Sequence, residues 1–244
     1  MADRMRLDKF LVDSGHMSTR SEAQAAIDAG KVEVNGAIVT KASFKVAGDD
    51  LVRSEKAHPY VSRAALKLKG ALDVFGIMPE GFVCLDIGCS TGGFTEVLIE
   101  AGAKHVFSVD VGTDQFHPSL RDQAHVSLFE QLDARKLTSE HIDSDVDLLV
   151  CDASFIGLEK VLYPAVRFVR SGGAALLLFK PQFQVGPKAV GKGGIVTDEN
   201  AVDAAKGTFM TWLNENGFSL KGWTPSPITG SDGNQEWLVW AERR

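Results

Sequence analysis

The sequence is short of cysteine, of long apolar runs and of positive charge, and each shortage excludes a class of protein. Three cysteines in 244 residues, Cys84, Cys89 and Cys151, cannot form a disulfide framework and show no metal-ligand spacing. Two of them stand in apolar runs, so they read as reduced, buried thiols of a cytoplasmic protein, and no metal is expected. The longest strongly apolar stretch, residues 172–179, is far shorter than the ~20 residues of a membrane span. No signal peptide is visible before the polar helical pattern of the N-terminal residues. No Gly-x-Gly-x-x-Gly follows a strand and no Walker lysine follows a glycine turn, which weakens dinucleotide and nucleoside-triphosphate readings. The formal net charge is −6. Residues 1–60 carry nine Lys/Arg against nine Asp/Glu, so the whole deficit lies in residues 61–244. Any contact with nucleic acid must come from local basic patches rather than from the global field.

The chain is organised around residues 85–95, Leu-Asp-Ile-Gly-Cys-Ser-Thr-Gly-Gly-Phe-Thr. Apolar residues lead into it as into a buried parallel strand. Phe94, Val97, Leu98 and Ala101 then recur at helical spacing. Strand, glycine turn and helix N-terminus together make a cradle. Gly88, Gly92 and Gly93 let backbone approach a ligand, and the free N–H groups of the helix suit an anionic group. A second strand, 105–109, ends in Asp110, which lies 24 residues after Asp86. An acid in that place takes a ribose diol.

Residues 1–53 form a minimal α+β module. Leu7, Phe10, Leu11 and Ser14 share a helical face, and Gly15 can end that helix. Thr19-Arg20-Ser21-Glu22 has the form of a capping box before a second helix. Residues 32–39 alternate around Asn35-Gly36, a hairpin signal. A polar linker spans 54–59, and a helix is expected from Tyr60 with Ala64, Leu68, Ala71 and Leu72 facing inward. Strands then alternate with helices to the end of the sequence. Strands are expected at 126–129, 147–151 and 173–179, helices at 159–170 and 200–216, and closing strands at 218–223 and 236–241. Continuous apolar strands with intervening helices mean a doubly wound, mostly parallel sheet over residues 60–244. A C-terminal hairpin is expected at the sheet's edge. In such sheets ligands bind outside the carboxyl ends of the strands, where Asp86, Asp110, Asp152 and Lys180 all fall. A lysine directly after Ala-Leu-Leu-Leu-Phe is poorly explained as a surface charge. Desolvation favours a neutral amine, and a neutral amine is a base.

Resemblance sharpens these readings. Residues 6–36, with R-L-D-x-x-L, T-R-x-x-A and V-x-V-N-G, resemble the S4 RNA-binding domain. That resemblance places Arg6, Lys9, Arg20, Lys31 and Lys41 as RNA contacts. Asp3, Asp8, Asp13 and Asp28 dilute this basic face. The turn D-x-G-x-x-x-G-G resembles the S-adenosylmethionine (SAM) turn of Rossmann-like methyltransferases. The second domain resembles the FtsJ-like ribose 2′-O-methyltransferases, and its union with an S4 domain resembles the hemolysin A (TlyA) family, which methylates cytidine ribose in ribosomal RNA. The matching stretches are 60–68, 85–95, 151–156, 180–183, 190–196 and 233–237. The resemblance implies a catalytic tetrad of Lys67, Asp152, Lys180 and Glu236. It also implies SAM contacts at Asp86, Gly88, Ser90, Gly92, Gly93, Asp110 and Asp133, and ribosomal subunits as partners. Lys188 and Lys192, beside flexible glycines, are further candidates for RNA. Gln184 and residues 114–118 depart from the family pattern. Two other functions remain to be weighed: a ribosome-assembly factor with an inactive methyltransferase fold, and a membrane-lytic protein.

Overall fold

The computed structural model describes residues 4–244. They divide into two compact units, one ending at Arg63 and the other running Ala64–Arg244.

The first unit contains β1 (Met5–Arg6), α1 (Leu7–Asp13), α2 (Arg20–Asp28), β2 (Val32–Val34), β3 (Ala37–Ile38), β4 (Lys45–Val46) and β5 (Val52–Ser54). Leu7 and Leu11 of α1 and Ala23, Ala26 and Ile27 of α2 are fully buried against Val32, Val34 and Val46. The capping box forms with one change of partner. The Glu22 N–H donates to Thr19 Oγ1 at 3.1 Å, while the Glu22 carboxylate accepts from the Ser18 N–H at 2.7 Å. The hairpin is as its sequence dictates: Val34 pairs with Ala37 across Asn35 and Gly36, both at positive φ as a type I′ turn requires. β5 adds to β2, so the stretch expected as linker begins inside a sheet.

The second unit holds α3 (Ala65–Phe75), β6 (Val83–Ile87), α4 (Gly93–Glu100), β7 (His105–Val109), α5 (Pro118–Arg121), β8 (Val126–Phe129), β9 (Val146–Cys151), α6 (Leu158–Leu162), β10 (Val169–Phe179), α7 (Pro181–Gln184), α8 (Glu199–Glu215), β11 (Phe218–Pro225) and β12 (Trp237–Arg243). One sheet of seven strands runs β11-β12-β10-β9-β6-β7-β8. The five strands from β10 to β8 are parallel, and β12 is antiparallel to both of its neighbours. Leu85, Ile87, Leu149, Cys151, Leu177 and Phe179 meet Phe209 and Leu213 of α8 in one core. Burying each such side chain contributes about 1.5–3 kcal/mol.

The C-terminal pair of strands lies at the edge as expected, with β12 inserted between β10 and β11, so that β11 is outermost. Two expectations are corrected. The helix expected over 159–170 stops at Leu162, because Pro164 has no N–H to continue it. The chain makes a short 3-10 turn over Ala165–Phe168 and enters β10 at Val169. The helix expected from Tyr60 starts only at Ala65.

Candidate active site

Register builds the site. Ile87 pairs with Val109 on one side and with Cys151 on the other, so the next residues, Gly88, Asp110 and Asp152, sit abreast at the ends of three adjacent strands. β10 brings Lys180 to the same end of the sheet. Because β12 runs antiparallel with Trp237 opposite Phe179, the residue preceding it, Glu236, falls beside Lys180. α3 supplies Lys67, which is buried among Ala65, Leu68, Ala71 and Leu72 rather than reaching for water.

These four side chains meet. Lys67 Nζ lies 2.6 Å from Glu236 Oε2 and 3.9 Å from Asp152 Oδ2, and Lys180 Nζ lies 2.6 Å from Asp152 Oδ1. The Lys180 ammonium also donates to the Asp152 carbonyl at 3.0 Å and to Ser154 Oγ at 2.8 Å. The two 2.6 Å contacts are close but not aligned as hydrogen bonds, so charge rather than direction holds them. Asp152 has the most exposed side chain of the four, at 13%, against 3% for Glu236. A Cβ on Gly230 would lie 2.9 Å from Glu236 Oε1, so the absence of a side chain there makes room for the carboxylate.

A cavity of about 520 Å³ opens beside this cluster. Gly88, Ser90, Asp110 and Asp133 line it, together with Asp152, Ser154 and the apolar side chains of Ile87, Val109, Leu132 and Ile156. Lys180 lies behind Asp152 and Ser154, outside the wall. Gly88 has φ 80, and a Cβ there would come 2.9 Å from the Ala153 backbone, so only glycine lets the two strand ends approach. Each oxygen of Asp110 accepts one backbone N–H, from Ser90 at 2.9 Å and from Gly112 at 2.7 Å. These bonds latch the two turns and leave acceptor capacity on both oxygens. Asp133 lines the cavity, but Arg135 grips its carboxylate through Nε and Nη2, at 3.0 and 2.6 Å.

The remaining residues expected at the cofactor, Asp86, Gly92 and Gly93, do not line the cavity. Gly93 opens α4. Gly92 makes room for Phe116 and Leu120, whose side chains a Cβ would strike. Asp86 is fully buried and accepts from Thr95 Oγ1 at 2.7 Å, and Thr95 in turn meets Ser108 Oγ. Burial pushes the Asp86 carboxyl up to about 7, opposed by the Thr95 hydroxyl and helped by the charges of Asp152 and Asp110. Burial also pushes all three thiols up, Cys151 to about 12, so none serves as a nucleophile. Ser154 and Arg135 went unassigned in the sequence. Ser154 stands two residues past a strand-end acid, which is a usable signal, whereas nothing local marks Arg135.

Of the cations expected at RNA, Arg6 and Arg20 both bind Asp8. Lys9 lies 3.9 Å from Asp13, Lys31 pairs with Glu55 at 3.2 Å, and Lys41 is exposed. Lys188 and Lys192 stand exposed on a segment that is tied down rather than free. Buried Asn234 donates to the Gly194 carbonyl at 2.8 Å and accepts from the Val196 N–H at 2.9 Å.

The FtsJ-like methyltransferase family matches residues 60–243 and the S4 domain matches residues 5–52. A Mycobacterium tuberculosis protein named 16S/23S rRNA (cytidine-2′-O)-methyltransferase TlyA is 40% identical over 242 residues, covering 98% of this chain and 90% of that protein. The chain belongs to the TlyA family of FtsJ-like methyltransferases. A TlyA from Campylobacter jejuni, named a 23S rRNA (cytidine-2′-O)-methyltransferase, is 36% identical, covering 97% and 98% of the two chains. A solved structure from Streptococcus thermophilus, a hemolysin by name, superposes with a TM-score of 0.78 at 34% identity, covering 100% of this chain and 90% of its own. Within this TlyA-family chain, no helix among the described residues is long and apolar enough to cross a membrane.

Proposed function

We propose that this chain methylates a cytidine 2′-hydroxyl of ribosomal RNA, with SAM as methyl donor. The observation that carries the reading is the buried pairing of Lys67, Asp152, Lys180 and Glu236 beside a cavity edged by Gly88, Ser90 and Asp110. The cavity suits SAM. Asp110 keeps acceptors for a ribose diol, apolar residues can flank a flat base, and the glycine turn admits close backbone approach. When bound, SAM supplies a methyl group on a sulfonium centre that is already activated for transfer.

The chain's own part is to prepare the alcohol. A ribose hydroxyl is a weak nucleophile at neutral pH, so it needs a group that takes its proton or offsets the charge growing on oxygen. Lys180 has that role. Asp152 and Ser154 fix its Nζ, and Asp152 also lines the cavity. Lys67, held by Glu236, stands on the other side of Asp152 and orients the ribose. Burying four charged groups is costly unless they are paired. A ribosome-assembly factor without chemistry would have no use for that expense. Among the described residues no spanning helix favours a lytic reading. A ribosomal RNA substrate places the reaction in the cytoplasm.

The test is transfer of labelled methyl from SAM to separated ribosomal subunits, followed by mapping of the modified nucleotide. The label is expected on a cytidine ribose, and an RNA with a single 2′-deoxy nucleotide at the mapped position should accept none. Label on a base, or incorporation at the deoxy nucleotide, would refute the assignment.

A further inference from the structure

Among the described residues of the first unit, Asp8 is the one acid whose side chain is almost fully buried and bound by two arginines. Its side chain is 5% exposed. Arg6 Nε donates to Oδ1 at 3.0 Å and Arg6 Nη2 to Oδ2 at 3.1 Å. Arg20 Nη2 donates to Oδ2 at 2.6 Å, and the Lys9 backbone N–H donates to Oδ1 at 2.9 Å. The two arginines come from different elements, Arg6 from the end of β1 and Arg20 from the first turn of α2. Tying the helices together requires only one of them. Arg20 is also a cation at a helix N-terminus, where the macrodipole opposes it. Yet both guanidiniums remain open to solvent, with side chains 46% and 66% exposed.

We propose that Asp8 is a positioning residue for RNA. It gathers Arg6 and Arg20 onto one carboxylate and so presents two fixed guanidiniums to the phosphates of the substrate. A guanidinium has five N–H donors in a planar fork. Arg6 spends its Nε face and Arg20 one Nη, so each keeps donors for phosphate oxygens. Two cations so close would repel, and the single buried charge between them offsets that repulsion. The trio still carries one net positive charge. The side-chain entropy of two long residues is lost on folding instead of on binding. Asp8, which as a bare charge dilutes the basic face, thereby serves it.

This inference rests on the ribosomal RNA reading, and the experiment separates the two. Binding of purified 16S and 23S rRNA is measured against salt for the full chain and its variants. Asp8→Asn adds one positive charge, so bare electrostatics predicts tighter binding. The expected result is the opposite: binding weaker by roughly five- to tenfold, the loss of about one hydrogen-bonded pairing, with the salt slope reduced by about one. In an Arg6→Ala/Arg20→Ala background the same change should have no further effect. Arg6→Lys/Arg20→Lys keeps the charge but not the fork and should also weaken binding, which tests the idea even where Asp8→Asn lowers the melting temperature. Equal or tighter binding by Asp8→Asn overturns the proposal, and so does an equal loss in both backgrounds, which marks a general effect on the fold. Wild-type binding that ignores salt overturns the RNA reading and this proposal with it.

Discussion

At the scale of the residue, two buried ionisable groups near the carboxyl ends of β10 and β6 have opposite meanings. Lys180 is embraced by Asp152 and Ser154, while Asp86 has one oxygen bonded to Thr95 and the other without a partner. Lys180→Ala should abolish methyl transfer and leave SAM affinity within a few-fold, because Lys180 itself lies behind the cavity wall. Asp110→Ala should weaken SAM binding first, since it also releases the N–H groups of Ser90 and Gly112. Calorimetry showing equal losses of SAM for both variants would exchange these roles. For Asp86 the sign follows from linkage. Its folded pKa of about 7 lies above the unfolded value of 3.8, so the unfolded chain sheds this proton first. Stability therefore falls as pH rises from about 4 to 7 and is level above, with an upper bound on the order of 4 kcal/mol. Asp86→Asn should remove that slope, melting higher than wild type at pH 8 and much like it at pH 4. A parallel pair of stability curves would show that the carboxyl is ionised throughout.

At the scale of the element, the decisive arrangement is the insertion of β12. Apolar strands with helical intervals were legible because their periods are local. Asp152 and Lys180 were legible too, because a charged residue directly after a buried strand stands out. Lys67 and Glu236 were not: a lysine within an apolar helix face and a glutamate before a strand are ordinary until register sets them together, and only family resemblance marked them. The partnership of Asp8 with Arg6 and Arg20 joins two helices through space and leaves no local trace. The same holds for Asn234, which stitches residues 194–196 to the segment that delivers Glu236. Asn234→Ala would strand the Gly194 carbonyl and the Val196 N–H, at a cost of about 1–3 kcal/mol. The measured outcome should be a lower melting temperature and a reduced kcat with nearly unchanged SAM affinity. An unchanged kcat would mean that Glu236 is placed by the sheet alone.

At the scale of the whole molecule, two cores divide the labour. The seven strands, the cavity and the four charged side chains all belong to Ala64–Arg244, so a chain beginning at residue 59 should bind SAM within a few-fold of full length. It should methylate ribosomal RNA poorly, because Arg6, Arg20 and Lys41 are gone. Undiminished methylation would remove the first unit from substrate recognition. The strand order has a further effect, on timing. β12 is the last strand of the sheet to leave the ribosome, yet its place is in the interior, between β10 and β11. Synthesis proceeds from the N-terminus, and pairings between distant segments form late. Until β12 has been made, β10 lacks its antiparallel neighbour and Lys67 lacks Glu236. The first unit, complete some 170 residues earlier in sequence than β12, can meanwhile be folded. Translation thus supplies the S4 unit well before it supplies the strand that delivers Glu236, and the four charged side chains can meet only once that strand exists.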